Sequence, residues 1–304
     1  MKIIITGATG LVGKSLCQYL IDKGEEVVVF SRNVEKSKNV IPLAAEHIEW
    51  RINGSAGSAV LSALSDADVV INLAGENVLA RRWNSKHKQR VYDSRVKGTR
   101  KLTEAILKSN NKLPTYISAS AVGIYGATNE PTIETSPLAN DFLANVVKDW
   151  EDASKGLDKL GTRRINLRIG IVLSTKDGAL KKLITPFKFF VGGALGNGKQ
   201  WFPWIHVDDV VGLFVKSIYD SSYSGAINAV SPNPVRMNEF CKILGRVMNR
   251  PSLFNVPSFV LKIIFGEGAD VLLTGSNVLP KRALENNYQF KYQTADKALS
   301  DLLG

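Results

Sequence analysis

Three glycines at positions 7, 10 and 13 stand where a short apolar run, Ile3-Ile4-Ile5, gives way to Leu11, Val12, Leu16, Leu20 and Ile21 at helical spacing. This is the pattern of a strand, a tight turn and a helix whose free N–H groups and partial positive charge can hold a phosphate. Gly7 permits the turn, Gly10 leaves room for a pyrophosphate against the backbone, and Gly13 lets the helix lie close on the strand. Thr9, Leu11 and Val12 complete the loop and are assigned with it to the ligand. A second, fully apolar strand is expected at 26–30. In dinucleotide folds an acid at its end, about 20 residues past the glycines, grips the ribose 2′-hydroxyl of NAD. Here Ser31-Arg32-Asn33 stand at that place, with Lys36 and Lys38 beyond. A hydroxyl and a guanidinium can hold a 2′-phosphate, and no carboxylate repels one. Ser31 and Arg32 therefore point to NADP(H); the competing reading makes Arg32 a plain surface loop residue.

The elements that must position these groups follow in order. Strands are expected at 47–51, 68–75, 115–120, 164–173 and 225–230, with helices near 56–64, 84–108, 142–151, 183–190 and 237–248. The alternation predicts a doubly wound, parallel α/β sheet of Rossmann type, with ligands at the carboxyl ends of its strands. Leu73, Ala74 and Gly75 end one strand and are small or apolar enough to pass adenosine and ribose, unless they are an ordinary strand end. Ser118 is placed with the same ligand, and Val172 by its nicotinamide end. Glu76 and Arg82, at the mouth of the crevice, are candidate substrate ligands. The domain division expected is 1–173 for the NADP-binding part, with returns to the sheet near 201–230, and 174–304 for a smaller substrate-binding and C-terminal α/β region.

The glycine spacing resembles the short-chain dehydrogenase/reductase superfamily in its extended or atypical branches. That superfamily often carries Asn-Val-x-Gly-Thr on the helix after the fourth strand. This chain has Arg95-Val96-Lys97-Gly98-Thr99, and the resemblance implies that Arg95, with Arg90 just over a turn earlier, reaches cofactor phosphates or ribose. Ser120 through Tyr125-Gly126 resembles the Ser-Ser-Ser-Ala-x-x-Tyr-Gly stretch of nucleotide-sugar epimerases and dehydratases, with one extra residue before Tyr125. The match puts Ser120 where a serine bonds the reacting carbonyl or hydroxyl; the alternative is a satisfied hydroxyl at a strand end. The superfamily's Tyr-x-x-x-Lys is missing from the following helix, since 142–151 contains no tyrosine. Its only occurrence, Tyr19 to Lys23, lies on the first helix. The dyad works by an ammonium lowering a phenol's pKa until it exchanges protons at neutral pH, so its absence puts hydride transfer by the usual route in doubt. Tyr125 and Lys148 are candidate substitutes; the competing reading makes Lys148 a solvated helix residue.

Taken together, 72–77, Arg81-Arg82-Trp83, Gly192-Gly193, Trp204-Ile205-His206 and Leu279-Pro280-Lys281-Arg282 resemble one atypical family: nucleoside-diphosphate-sugar epimerase-like proteins with an extra C-terminal domain of unknown function, sometimes given a cell-division-inhibitor-like name. The resemblance implies an NADP-binding Rossmann fold without the catalytic tyrosine, a cytoplasmic or organellar location and an undefined substrate.

Composition narrows the partners. A net charge of +11 suits nucleic acid, anionic lipid or small anions. Its densest part, 81–101, is either a solvated helix face or a set of groups aimed at phosphates. No helix-turn-helix, zinc finger or aromatic platform accompanies the charge, so nucleic acid is not expected. No apolar run reaches about 18 residues, so no membrane span is expected, no membrane is expected as a partner, and the chain enters its first strand with no room for a signal peptide. Cys17 and Cys241 fall in helical patterns as buried thiols, and His47, His87 and His206 are too scattered for a metal. The expected protein is a cytoplasmic monomer or homodimer that takes a small-molecule substrate. It is an NADP(H)-dependent oxidoreductase or epimerase acting on a small polar compound, or else a non-catalytic NADP(H)-binding regulator.

Overall fold

The computed structural model describes all residues 1–304. Its first half alternates strand and helix: β1 (Lys2–Thr6), α1 (Leu11–Asp22), β2 (Glu26–Ser31), α2 (Val34–Val40), β3 (Glu46–Glu49), α3 (Ser58–Leu64), β4 (Val69–Asn72), α4 (Ser85–Tyr92), α5 (Gly98–Lys108) and β5 (Thr115–Ala121). Next come β6 (Thr128–Thr132), α6 (Phe142–Asp152), β7 (Arg163–Ile169), β8 (Ile171–Leu173), α7 (Ala179–Lys188), β9 (Trp201–Phe202), β10 (Trp204–His206), α8 (Val207–Tyr219) and β11 (Gly225–Ala229). The remainder is β12 (Val235–Arg236), α9 (Met237–Met248), α10 (Ser258–Phe265), α11 (Asp270–Leu273), β13 (Ser276–Val278), α12 (Lys281–Glu285) and α13 (Ala295–Leu303).

The main sheet has seven strands in the order β3-β2-β1-β4-β5-β7-β11, each pair parallel. Strand alternation feeds two cores. Ile3 and Ile5 of β1 join Leu16 and Leu20 of α1 and Phe214 of α8 on one face. Ile4 joins Leu64 of α3 and Ile106 of α5 on the other. Covered on both faces, β1 and β2 are continuous apolar runs, as a central parallel strand must be. The strand order reverses between β1 and β4, and it is there that such sheets open a crevice at their carboxyl ends.

Two expected elements are broken, each for a local reason. The helix expected at 84–108 is interrupted by a π-helical turn, Asp93–Lys97; the widened turn sets Ser94 and Arg95 against the end of β4. The strand expected at 164–173 divides at Gly170, whose N–H donates to Ala229 O and where a Cβ would fall 2.3 Å from Pro203 O. Beyond it β8 leaves the large sheet and pairs with β10. Cys17 and Cys241 are free, buried, and pushed up to about 12 by burial.

Candidate functional site

The loop between β1 and α1 is shaped by its glycines. Gly7 has φ +72°, and a Cβ there would lie 2.6 Å from the Leu73 carbonyl carbon at the end of β4. A Cβ on Gly13 would come within 2.4 Å of Gly7 O, so α1 can lie this close on the turn only with glycine. At Gly10 a Cβ would meet only Gly7 O, at 3.3 Å. Gly10 caps α1 with backbone alone, and no acidic side chain fills the first turn. The N–H groups at that end are free to meet an anion. Beneath the loop, Thr6 Oγ1 donates to Asn72 Oδ1 (2.7 Å), and Asn72 Nδ2 donates to Thr99 Oγ1 (2.8 Å) and the Tyr116 hydroxyl (3.2 Å). This buried lattice ties the ends of β1 and β4 together.

A cavity of about 230 Å³ opens above these strand ends. Gly7, Thr9, Gly10, Ser31, Arg32, Leu73, Ala74, Gly75 and Glu76, all expected at a ligand site, lie on its wall. Leu11 and Val12 begin α1 beside it, and Gly178, after β8, stands by Leu11 and the Val172 carbonyl. Arg32 is exposed and makes no hydrogen bond or ion pair. Ser31 Oγ donates to Asn33 O (3.0 Å), and the Asn33 side chain caps α2 by accepting from Lys36 N–H. The wall also includes Trp50 and Ile52, which sequence reasoning did not single out. Trp50 stacks on Phe30, their centroids 5.9 Å apart. Its signal was its place just after the third strand, an aromatic beside the cavity.

Arg95 is half-buried on the π-helical turn. It donates to Glu76 O (2.9 Å), lies with its guanidinium carbon 5.1 Å from the Trp150 ring centroid, and packs on Gly75. Burial lowers its pKa to about 10, with Glu76 opposing, so it stays cationic at neutral pH. Arg90 keeps a buried Nε without an acceptor. The Glu76 N–H donates to Ser94 Oγ (3.0 Å), so the loop after β4 is held from the helix side.

A second cavity, about 540 Å³, lies at the carboxyl ends of β5 and β7. Its walls come from Val122 and Gly123, Ile169–Ile171, Asp141 and Phe142, and from the distant Glu267 and Asp270. Trp83 and Lys88 complete it, because Trp83 N–H donates to Phe265 O (3.0 Å) and Lys88 pairs with Glu267. The ammonium of Lys88 also lies 5.6 Å and 5.2 Å from the ring centroids of Trp83 and Phe142. Arg82 lines neither cavity; it packs by Gly266 on the same C-terminal segment. Glu76 lies at the first cavity, apart from Arg82.

Ser120 and Tyr125 line neither cavity either. Ser120 Oγ donates to Glu151 Oε1 (2.5 Å), and Glu151 holds Arg168 through Nε and Nη2 (2.8 and 2.9 Å). Arg168 Nη1 donates to the Tyr125 hydroxyl (2.8 Å), which donates to Asn228 Oδ1 (2.7 Å). Burial pushes the Tyr125 phenol up, although Arg168 pulls the other way. Ser118 is buried, its Oγ donating to Ala119 O (2.9 Å).

The sequence matches the NAD dependent epimerase/dehydratase family over residues 3–143 and a domain of unknown function, DUF1731, over 256–302. The epimerase family protein SDR39U1 homolog of Arabidopsis thaliana, named chloroplastic, is 38% identical over 313 residues, spanning 100% of this chain and 87% of that protein. The epimerase family protein YfhF of Bacillus subtilis is 36% identical over 307 residues, spanning 100% and 98%. The chain belongs to this epimerase family. Human epimerase family protein SDR39U1, crystallised with NADPH, superimposes with a TM-score of 0.87 at 31% identity, over 99% of both chains. The UDP-glucuronic acid 4-epimerase of Bacillus cereus, at a TM-score of 0.78 and 18% identity, shares the fold. Arg82 and Trp83 thus join the part of the chain matching the NAD dependent epimerase/dehydratase family to the DUF1731 segment.

Proposed function

We propose that the chain binds NADP(H) in the first cavity and acts as an oxidoreductase or epimerase on a small polar molecule in the second. The observation that carries this reading is Arg32, an unpaired guanidinium on the rim of a glycine-lined cavity with no acid at the end of β2. The residues present fit the dinucleotide. The loop from Gly7 to Gly13 and the first N–H groups of α1 suit the pyrophosphate, and Ser31 with Arg32 suits the 2′-phosphate. Leu73 to Gly75 with Trp50 suits adenosine. NADP(H) supplies a hydride donor or acceptor in such sites. The NADPH in the human relative's crystal structure supports the same choice.

The second cavity argues about the substrate. Its one ammonium, Lys88, is paired with Glu267, while Asp141 and Asp270 add two further carboxylates. No free cation remains there to balance a nucleoside diphosphate, so an uncharged polar molecule suits it better than a nucleotide sugar. Asp141 is the group best set to exchange a proton with it. Its Oδ1 caps α6 by accepting from Ala144 N–H (2.9 Å), while Oδ2 would stand 3.2 Å from a Cβ on Gly126, at the cavity wall. Asp141→Asn separates the two roles, because asparagine caps a helix equally well but does not exchange protons. NADPH-dependent turnover of a panel of neutral aldehydes and ketones should fall at least about a hundredfold in this variant, with the melting temperature unchanged. An unaltered rate would leave Asp141 as a cap alone.

A second reading is that the chain holds NADP(H) without turning it over. Ser120 and Tyr125 favour it, since both hydroxyls are spent in a buried network. Tight NADPH binding with no consumption on any carbonyl would decide for it.

A further inference from the structure

The C-terminal region carries an apolar surface that nucleotide binding does not use. Phe189, Phe190 and Val191 leave α7 into solvent, and Leu253 and Phe254 lie beside them, both N–H groups donating to Gly192 O (3.0 and 3.1 Å). Beyond Asn255–Pro257, α10 begins, and it presents Phe259, Ile263 and Ile264. Phe259 and Ile263 stand four residues apart and so share one face. All eight side chains are between 52% and 76% exposed. Single exposed apolar residues are ordinary, but a group of large ones marks an interaction surface. Phe190 also sits at φ +63°, a conformation bulky residues rarely hold, with the Arg250 guanidinium carbon 4.4 Å from its ring centroid.

The chain segments that carry this surface are basic. No acid occurs between Asp177 and Asp208, a stretch carrying Lys181, Lys182, Lys188 and Lys199. None occurs between Glu239 and Glu267, which holds Lys242, Arg246, Arg250 and Lys262. Of these only Arg246 has a carboxylate partner, Asp296 at 3.3 Å. No helix of the chain is long and apolar enough to cross a membrane. An eight-residue helix that exposes Phe259, Ile263 and Ile264 together with Lys262 is suited instead to lying in an interface.

We propose that this surface docks the protein on an anionic membrane face. The aromatic and aliphatic side chains enter the boundary between headgroups and acyl chains, and the unpaired lysines meet the lipid's negative charge. A second copy of the chain is a poorer occupant, because a two-fold contact would set the same cations against each other.

The test is co-sedimentation of the full chain with vesicles of phosphatidylcholine alone and of phosphatidylcholine with phosphatidylserine at roughly three to one. The protein should pellet with the anionic vesicles and be released by high salt. Phe259→Ser/Ile263→Ser should bind at least about tenfold more weakly, with an unchanged far-ultraviolet spectrum and melting curve. A second variant, Lys188→Glu/Lys262→Glu, should lose the preference for anionic over neutral vesicles. Wild-type protein left in the supernatant, or equal pelleting of wild type and both variants, would overturn the proposal. So would a concentration-dependent dimer, without vesicle binding, that the serine variant abolishes.

Discussion

Arg32→Ala probes the nucleotide assignment most directly. The guanidinium is exposed and unpaired, so its removal takes nothing from the fold. From NADPH it takes a charge-assisted hydrogen bond to the 2′-phosphate, about 1.5–3 kcal/mol, or a rise in Kd of roughly tenfold to 150-fold. Because the contact lies at the open rim of the cavity, screening places the effect at physiological salt near the lower end, about tenfold, and larger in dilute buffer. NADH carries a hydroxyl in place of the phosphate and should move less than about twofold. Arg32→Lys should fall between, keeping the charge but losing the planar fork. Fluorescence titration of both nucleotides, for the three proteins at two ionic strengths, reads all of this. The reasoning fails if NADPH and NADH weaken by the same factor, or if the NADPH effect ignores salt.

Other outcomes follow from the geometry. Gly13→Ala puts a Cβ 2.4 Å from a backbone oxygen; overpacking of about 1–3 kcal/mol should lower the melting temperature and loosen NADPH together, and an unshifted melt would refute the close packing of α1. Glu151→Gln strands the buried Arg168 charge and should cost about 3–5 kcal/mol in urea unfolding, against about 1 kcal/mol for Ser120→Ala; equal costs would dissolve the network. Burial holds the His206 imidazole below its ordinary range, with Asp208 and Asp301 pulling the other way. The Asp208 N–H donates to His206 Nδ1 (3.1 Å), which requires that nitrogen bare. The stability from the neutral ring is therefore present above the unfolded value of about 6.5 and lost as pH falls through the lower folded value. His206→Asn, which keeps a cap acceptor for α8, should lose less melting temperature than wild type on going from about pH 7.5 to about pH 5.5; parallel curves would refute this.

What could be seen in the sequence was what neighbouring residues do together. The glycine loop, the apolar β1 and β2, and the missing acid at Ser31-Arg32 all lie in stretches a few residues long, where spacing alone carries the physics. The parallel sheet followed from the same alternation. Hidden features depend on approach across the chain. Arg95 faces Glu76 only because a π-helical turn widens the helix there, and no periodicity announces that. The second cavity is assembled from Trp83, Asp141 and Glu267, residues separated by whole elements. Ser120 was correctly placed at a strand end, but its partner Glu151 is 31 positions away. Motif matching therefore located the hydroxyl without showing that it was already engaged.

That engagement bears on how this chain could work without Tyr-x-x-x-Lys on its 142–151 helix. The usual dyad needs a phenol exposed to substrate and a neighbouring ammonium that lowers its pKa. Here the helix after β5 supplies Glu151 instead, a carboxylate fixed by both Ser120 and Arg168. Arg168 carries the nearby positive charge but is bound to that carboxylate, and burial still pushes the Tyr125 phenol upward. A phenol so placed is a weaker acid at neutral pH than a free one, and its hydroxyl already donates to Asn228. Ser120, Glu151, Arg168 and Tyr125 thus form a buried tie between β5, α6 and β7. On the proposed reading, proton exchange falls to a carboxylate of the second cavity, so Asp141→Asn, and no change at Tyr125, tests that role, while consumption of NADPH separates an enzyme from a nucleotide-binding relative.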